Sequence, residues 1–393
     1  MPWSETSTMD QKRLFIKDYL RDTFAMAELC RRYGISRPTG YKWVDRFEAA
    51  GLPGLQERPR RPHGCSHETA IEITEVILEL RRKHPYWGAK KLLAILTKRY
   101  PRVPWPARST VCDLLARHGM VDKKRRRAYP GHPGKPSQSM DAPNDTWCID
   151  FKGEFKTGDG QYCYPLTVTD GCTRFILGCH GLRSTAHVGA KPVLHRLFQH
   201  YGLPSIIRSD NGVPFATTAI GRLSRLSIWW IRLGIYPELI EPGHPEQNGR
   251  HERMHKTLKQ ETTRPPAATL RSQQRRFDRF RNEFNRERPH EALAQETPAS
   301  RYRPSPRTLP SRLPPIEYPA HFETRLMSRN GGFRWAHKRV PLSHLLEGQY
   351  IGLEEVDDGI WDVYYSTVRL GQMDERLLRV EDALGRRMRN PNV

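Results

Sequence analysis

The chain has no cysteine pair at CxxC spacing and no Cys/His spacing of the zinc-ligand type; its seven cysteines stand at 30, 65, 112, 148, 163, 172 and 179. A zinc finger and a disulfide framework are therefore disfavoured, and free thiols in a reducing compartment are expected. Long apolar runs are missing as well. The opening residues, MPWSETSTMDQKR, lack an apolar stretch, and the most apolar segment, SIWWIRLGIYPELI, is broken by Arg232. The pattern thus predicts neither a signal peptide nor a membrane span, and a soluble, cytoplasmic protein is expected. Acidic residues are in deficit, 43 against 65 Lys and Arg, which leaves a net charge of +22 over 393 residues. Such an excess attracts a polyanion, nucleic acid being the commonest, while a basic surface serving only solubility is the competing explanation. At 37% hydrophobic the chain has core material for two or three domains.

Residues 1–62 read as a helical domain with a basic linker. In AELCRRYGISRPTGYKWVDRF one helix ends at Gly34, and Ser36 caps the next, with Pro38 tolerated in its first turn. Apolar Leu14, Tyr19, Leu20, Leu29 and Tyr33 recur at helical spacing. As a helix-turn-helix, the segment presents Arg37, Thr39, Lys42 and Arg46 to a major groove and Tyr41, Val44 and Phe47 to the core. An ordinary three-helix bundle fits the same turn chemistry. The linker GLPGLQERPRRPHG carries Arg60 and Arg61, which suit either a DNA backbone or a solvated tether.

Residues 63–120 form a second helix-turn-helix-like unit, with Ser109 as the expected cap of STVCDLLARHGM and Val111, Leu114 and Leu115 on one face. Residues 121–143, including Lys124, Arg125 and Arg126, read as a flexible basic connection. From 144 to 303 the texture changes. DTWCIDFKGEF, QYCYPLTVTD and TRFILGCHGL are strand-like, and helices then alternate with strands, giving a mixed α/β sheet. Trp229 and Trp230 suit core packing better than base stacking. Residues 304–319 are a proline-rich spacer, and 320–393 suggest a small antiparallel barrel or sandwich with turns at NGG and DDG. There Arg334, Lys338 and Arg339 serve equally as DNA contacts or as strand decoration.

Asp150 lies among apolar strand neighbours, where an ionised carboxylate is costly unless paired or bound to a cation. Asp210 lies at the C-terminal end of the fourth strand, at the edge where open α/β sheets place ligands. Two strand carboxylates and one from a helix would make a hard-oxygen site for Mg²⁺ or Mn²⁺. Two such ions about 3.5 to 4 Å apart can activate a water or a 3′-hydroxyl. An Asp before Asn211 and Gly212 is equally what an ordinary turn uses.

WCIDFKG, RSDNGVPF and PEQNGRHERMHKTLKQE, in that order, resemble the three motifs of DDE transposases with a retroviral-integrase-like, ribonuclease-H-like core. FNRERPHEAL and TPASRY resemble the tail of bacterial insertion-sequence enzymes. The resemblance runs from about residue 11 to 305, without the zinc module of the retroviral relatives. It implies a multidomain α/β protein: helix-turn-helix modules, a ribonuclease-H-like catalytic core and a small C-terminal all-β barrel. It further implies a bacterial, nucleoid-associated enzyme that binds double-stranded DNA ends and target as a homodimer or larger assembly. Two Mg²⁺ or Mn²⁺ ions would be held by Asp150, Asp210 and Glu252.

Glu252 rather than Glu246 follows from motif register. Thirty-five residues separate Asp210 from Glu246 and forty-one separate it from Glu252. Yet the family glutamate stands three residues after the glycine of P-x-x-x-G, here Gly249, which implies a small insertion around TAIGRLSRLS. Lys256 and Lys259 share the helix face of Glu252 and would meet DNA phosphates, whereas Glu246 suits a helix-dipole partner. An i,i+4 ion pair with Lys256 is the plain alternative for Glu252. His244, Asn248 and Arg250 either flank the DNA channel or serve structure.

Overall fold

The computed structural model describes residues 7–57, 69–121, 140–241 and 244–387. Two compact units emerge, Met1–Ala70 and Ile71–Val393.

In the first unit α1 (Thr8–Leu20), α2 (Met26–Arg32) and α3 (Arg37–Ala50) enclose a small core. Gly34 takes a left-handed φ of 63°, which turns the chain between α2 and α3, and the Ser36 hydroxyl accepts from the Thr39 N–H at 3.4 Å. Gly40 is the point of closest approach: a Cβ there would stand 2.5 Å from Cys30 Sγ. The core face of α3 is therefore Gly40, Trp43 and Val44, with Phe47 packed beside them. Tyr41 is 52% exposed, contrary to the expectation that it faces inward, because Trp43 takes the inward slot about 200° further round the helix. On α1, Phe15 and Ile16 fill the core, while Leu14 and Leu20 are exposed.

The second unit begins with α4 (Ile71–Lys83), α5 (Ala89–Arg99) and α6 (Arg108–Arg117), packed around Ile77, Leu92, Leu96, Val111, Leu114 and Leu115. Ser109 lies inside the first turn of α6; the N-cap is Ala107, which makes no side-chain cap. His84 binds Glu283 at 2.7 Å and stacks on Trp87 at 3.8 Å, and Lys90 pairs with Glu291, so this trio is fastened to the segment that follows the sheet region.

That region has strands β1 (Thr146–Phe151), β2 (Phe155–Lys156), β3 (Tyr162–Asp170), β4 (Ile176–Leu182), β5 (Ile206–Ser209) and β6 (Tyr236–Leu239). Its helices are α7 (His187–Tyr201), α8 (Arg225–Arg232), α9 (Gly249–Thr262), α10 (Leu270–Arg286) and α11 (Pro298–Arg301). The strands run β4–β3–β1–β5–β6, with β2 on the start of β3. β3 is antiparallel to both β1 and β4, whereas β1–β5 and β5–β6 are parallel, so the sheet is mixed as expected. Alternation sends Trp147, Ile149, Leu166 and Val168 to one face, against Val193, Leu194 and Phe198 of α7 and Leu226 and Trp230 of α8. The other face is covered by α9 and α10 through Met254, Leu258, Phe277 and Phe280. Buried Arg208 and Glu238, level on β5 and β6, pair with each other.

The proline-rich spacer clings to this domain: Arg307 donates to the carbonyls of Pro204 at 2.8 Å and Gly234 at 2.7 Å. Beyond it lie β7 (Glu323–Leu326), β8 (Gly332–Trp335), β9 (Lys338–Pro341), β10 (Tyr350–Asp357), β11 (Ile360–Tyr365), β12 (Val368–Asp374) and β13 (Arg379–Glu381). They form an open sheet β13–β12–β11–β10–β7 and a separate β8–β9 hairpin. The C-terminal region is antiparallel as expected of a small barrel or sandwich, and no closed sheet is formed among the described residues. Ile220, Leu223 and Ile231 from the preceding domain join its buried core, together with Phe333, Trp335 and Val340 of the hairpin.

Candidate active site

Asp150 stands near the end of β1, and Asp210 directly follows β5. The parallel register pairs Cys148 with Arg208, so two residues further along Asp150 comes level with Asp210. The chain turns sharply after Asp210, whose Oδ1 accepts from the Gly212 N–H at 3.2 Å. A Cβ on Gly212 would sit 3.2 Å from Oδ2, so glycine leaves this carboxylate clear. Glu252 lies in the first turn of α9 on its exposed side, and Lys256 and Lys259 are exposed on the same helix.

Electrostatics tie the three acids together. Burial, then the charge of Asp210 and, further down, that of Glu252 push the Asp150 carboxyl up to about 7, against the backbone N–H of Phe151 and the Lys152 cation. A part-buried Asp150 carboxyl that its carboxylate neighbours hold up fits a cation, which relieves burial and repulsion together. An all-oxygen donor set of this kind suits a hard divalent ion.

Behind Asp150 lies a polar network that the sequence did not reveal. Asp150 faces Thr167 across the β1–β3 ladder. The Thr167 hydroxyl is 2.7 Å from His251 Nε2, 2.6 Å from His255 Nε2 and 3.1 Å from the Asp150 carbonyl. His251 Nδ1 meets the Thr169 hydroxyl at 2.8 Å, and His255 Nδ1 lies 3.6 Å from Asp150 Oδ2. Both imidazoles are held neutral. Burial, reinforced by Lys152, lowers His251 to about 3; burial, then His251 and Lys152, lowers His255 further. Asp150, His251 and His255 bring potential ligand atoms within 4.8 Å of one another, but three of the four ring nitrogens are engaged by threonine hydroxyls. The cluster is accordingly a hydrogen-bonded scaffold behind the carboxylates. Its signal in the sequence was a histidine pair at i,i+4 and two threonines at alternate positions of a buried strand.

Of the other expected contacts, Arg37 and Lys42 are exposed on α3. The Thr39 hydroxyl is 2.9 Å from that of Ser36, and Arg46 is half-buried over the Trp43 ring at 5.0 Å. Arg60, Arg61, Lys124, Arg125 and Arg126 lie outside the described residues, as does the side chain of Glu246. Arg250 donates to the Gly171 carbonyl at 2.9 Å, Asn248 is buried, and His244 is exposed. Trp230 is fully buried and Trp229 packs on Phe198, as expected of core residues.

Models of an integrase core domain match residues 140–245 and 233–298, a helix-turn-helix domain matches 11–63, and a homeodomain-like domain matches 39–115. An uncharacterized protein of insertion element IS476 from Xanthomonas euvesicatoria is 26% identical over 274 residues, covering 68% of this chain and 75% of that protein. The Gag-Pol polyprotein of baboon endogenous virus is 25% identical over 226 residues; the match covers 57% of this chain but only 13% of that far longer polyprotein. Among solved structures, the catalytic core of HTLV-2 integrase, in complex with magnesium, aligns with a TM-score of 0.33 at 13% identity, over 41% of this chain and 97% of that one. The matched models place an integrase core domain in this chain, with helix-turn-helix domains ahead of it. Within that class the chain is similar to proteins of bacterial insertion elements.

Proposed function

We propose that this chain is a DDE transposase that binds the terminal inverted repeats of a mobile element and carries out end cleavage and strand transfer. The observation carrying this reading is the level placement of Asp150 and Asp210 at the ends of neighbouring parallel strands, with Glu252 in the first turn of α9. Asp150, Asp210 and Glu252 would hold two Mg²⁺ or Mn²⁺ ions, Asp150 contributing to both. When bound, such ions lower the cost of forming the nucleophile and of releasing the 3′-oxygen. The protein's own work is placement. The β1 and β5 ends hold two acids level, α9 brings the third, and Lys256 and Lys259 face the DNA phosphates beside them. Water, and then a DNA 3′-hydroxyl, attack phosphorus without a covalent protein–DNA intermediate. Arg37, Thr39, Lys42 and Arg46, with the linker cations Arg60, Arg61, Lys124, Arg125 and Arg126, supply the DNA grip. Joining two ends requires two copies or more on DNA. No helix among the described residues is long and apolar enough to cross a membrane.

A strand-transfer assay with pre-cleaved ends tests the reading: Asp150→Asn and Asp210→Asn each abolish joining. A regulator acting through its helix-turn-helix modules alone would be indifferent to both changes, and a nuclease would cut without joining.

A further inference from the structure

Forty-one residues separate Asp210 from Glu252, and among them one turn has a definite seat. Ile220–Arg222 form a single 3₁₀ turn in which Gly221 and Arg222 both take left-handed φ values, 62° and 56°. Ile220 and Leu223, each 2% exposed, sink into the core of the C-terminal sheet beside Leu370 and Met373. Gly221 lies so close to β12 that a Cβ would be 3.1 Å from Leu370 Cδ2 and 3.5 Å from its Cα, and its N–H donates to Asp382 Oδ2 at 3.3 Å.

The same turn reaches back to the acid. Arg222 Nη2 lies 3.5 Å from the carbonyl of Asn211, the residue next to Asp210, and Asn211 donates to the Ile240 carbonyl at 2.9 Å. Thr217 closes the loop on itself, its N–H donating to the Arg222 carbonyl at 3.2 Å and its hydroxyl to that of Leu223. A second fastening lies close by: Arg232 donates to Gln349 Oε1 at 2.8 Å and to the Pro314 carbonyl at 2.9 Å.

We propose that the C-terminal sheet is a positioning element of the catalytic centre: Leu370 and Asp382 seat the turn at Gly221–Arg222, and that turn fixes the loop bearing Asp210. The inference rests on the reading of Asp210 as a metal ligand. Two bonded elements separate the sheet from the carboxylate, so it acts through the loop and touches neither DNA nor ion there. A sheet that only contacts DNA would leave the acid's position unchanged.

The test uses the full chain and Mn²⁺ alone as probe, its binding followed by electron paramagnetic resonance, with DNA-end affinity measured in parallel by anisotropy. Leu370→Ala and Asp382→Ala each weaken Mn²⁺ binding about tenfold or more, in the range of other supporting-residue changes at metal sites. DNA-end affinity stays near wild type, and Leu370→Met restores Mn²⁺ binding. Amide exchange at Phe215 and Ala216, whose N–H groups are bonded to the Gly212 carbonyl at 3.0 Å, quickens in the alanine variants. Normal Mn²⁺ binding and normal exchange in both alanine variants overturn the inference, whatever happens to DNA affinity. Asp210→Asn is the control. If it binds Mn²⁺ normally, the ligand reading fails and this inference with it; if it loses binding while the other variants do not, only this inference fails.

Discussion

Asp150 on β1 lies directly opposite Thr167 on β3, and the hydroxyl of that threonine meets both imidazoles that α9 directs at the sheet. One side chain thereby fixes the helix carrying Glu252 against the strand carrying Asp150. Thr167→Val keeps the shape but leaves two buried imidazoles short of a partner, a cost of about 1–3 kcal/mol each in the unrelieved case. We expect thermal stability to fall, and catalytic turnover to fall further than the stability loss explains, while DNA-end affinity is retained. Thr167→Ser should recover most of both, which calorimetry and a joining assay would register.

The raised Asp150 carboxyl gives a pH dependence with a definite sign. A folded value of about 7 lies above the ordinary carboxylate value. Without a cation, ionisation therefore favours the unfolded state, and the penalty grows from about pH 4 and levels off above about pH 7. In EDTA, Asp150→Asn should melt higher than wild type at pH 8, by an amount equivalent to about 1–3 kcal/mol, discounted for partial exposure, and the gap should close toward pH 4. Mn²⁺ should raise the wild-type melting temperature and not that of the variant. A gap of equal size at both pH values would contradict this account of Asp150.

The docking of the second helical trio through His84 and Glu283 makes a structural prediction. The hydrogen bond from His84, ahead of its charge, holds the Glu283 carboxyl below the usual range. Glu283→Ala removes this partner from a histidine that is 6% exposed. Limited proteolysis should then cut between the trio and the sheet region faster than in wild type, while joining of pre-cleaved ends persists at reduced rate.

For the first unit, Arg37→Ala and Lys42→Ala should each weaken binding to the element end and lower the slope of log affinity against log salt by about one for each lost phosphate contact. Arg46→Ala should act differently. Its guanidinium lies against Trp43, so part of its effect will appear as lost stability of the isolated 1–70 unit.

Much of this was legible in the sequence, for identifiable reasons. The three antiparallel strands and the mixed sheet followed from alternation and turn chemistry, and Asp150 and Asp210 on neighbouring strands followed from their strand positions. Motif register, not the better-known spacing, picked out Glu252, and the segment between the two acids carries the Gly221–Arg222 turn. Illegible were the features made by contacts between distant segments. The threonine–histidine scaffold needed α9 laid on β3, and the core of the C-terminal sheet takes in Ile220 and Leu223 from the preceding domain. The misassigned Tyr41 shows the same limit on a smaller scale: three aromatics within seven residues compete for one face, and Trp43 takes it because Gly40 lets α3 approach α2.

The central claim is that Asp150, Asp210 and Glu252 form one cation site. It is tested most directly by soaking crystals of the full chain in Mn²⁺ and recording anomalous scattering, beside Glu252→Gln and Glu246→Gln crystals treated alike. We expect density between Asp150 and Asp210 with Glu252 as the third ligand, reduced in Glu252→Gln and unchanged in Glu246→Gln. Density that persists in Glu252→Gln and vanishes in Glu246→Gln, or that sits on His251 and His255 away from Asp210, would contradict the account.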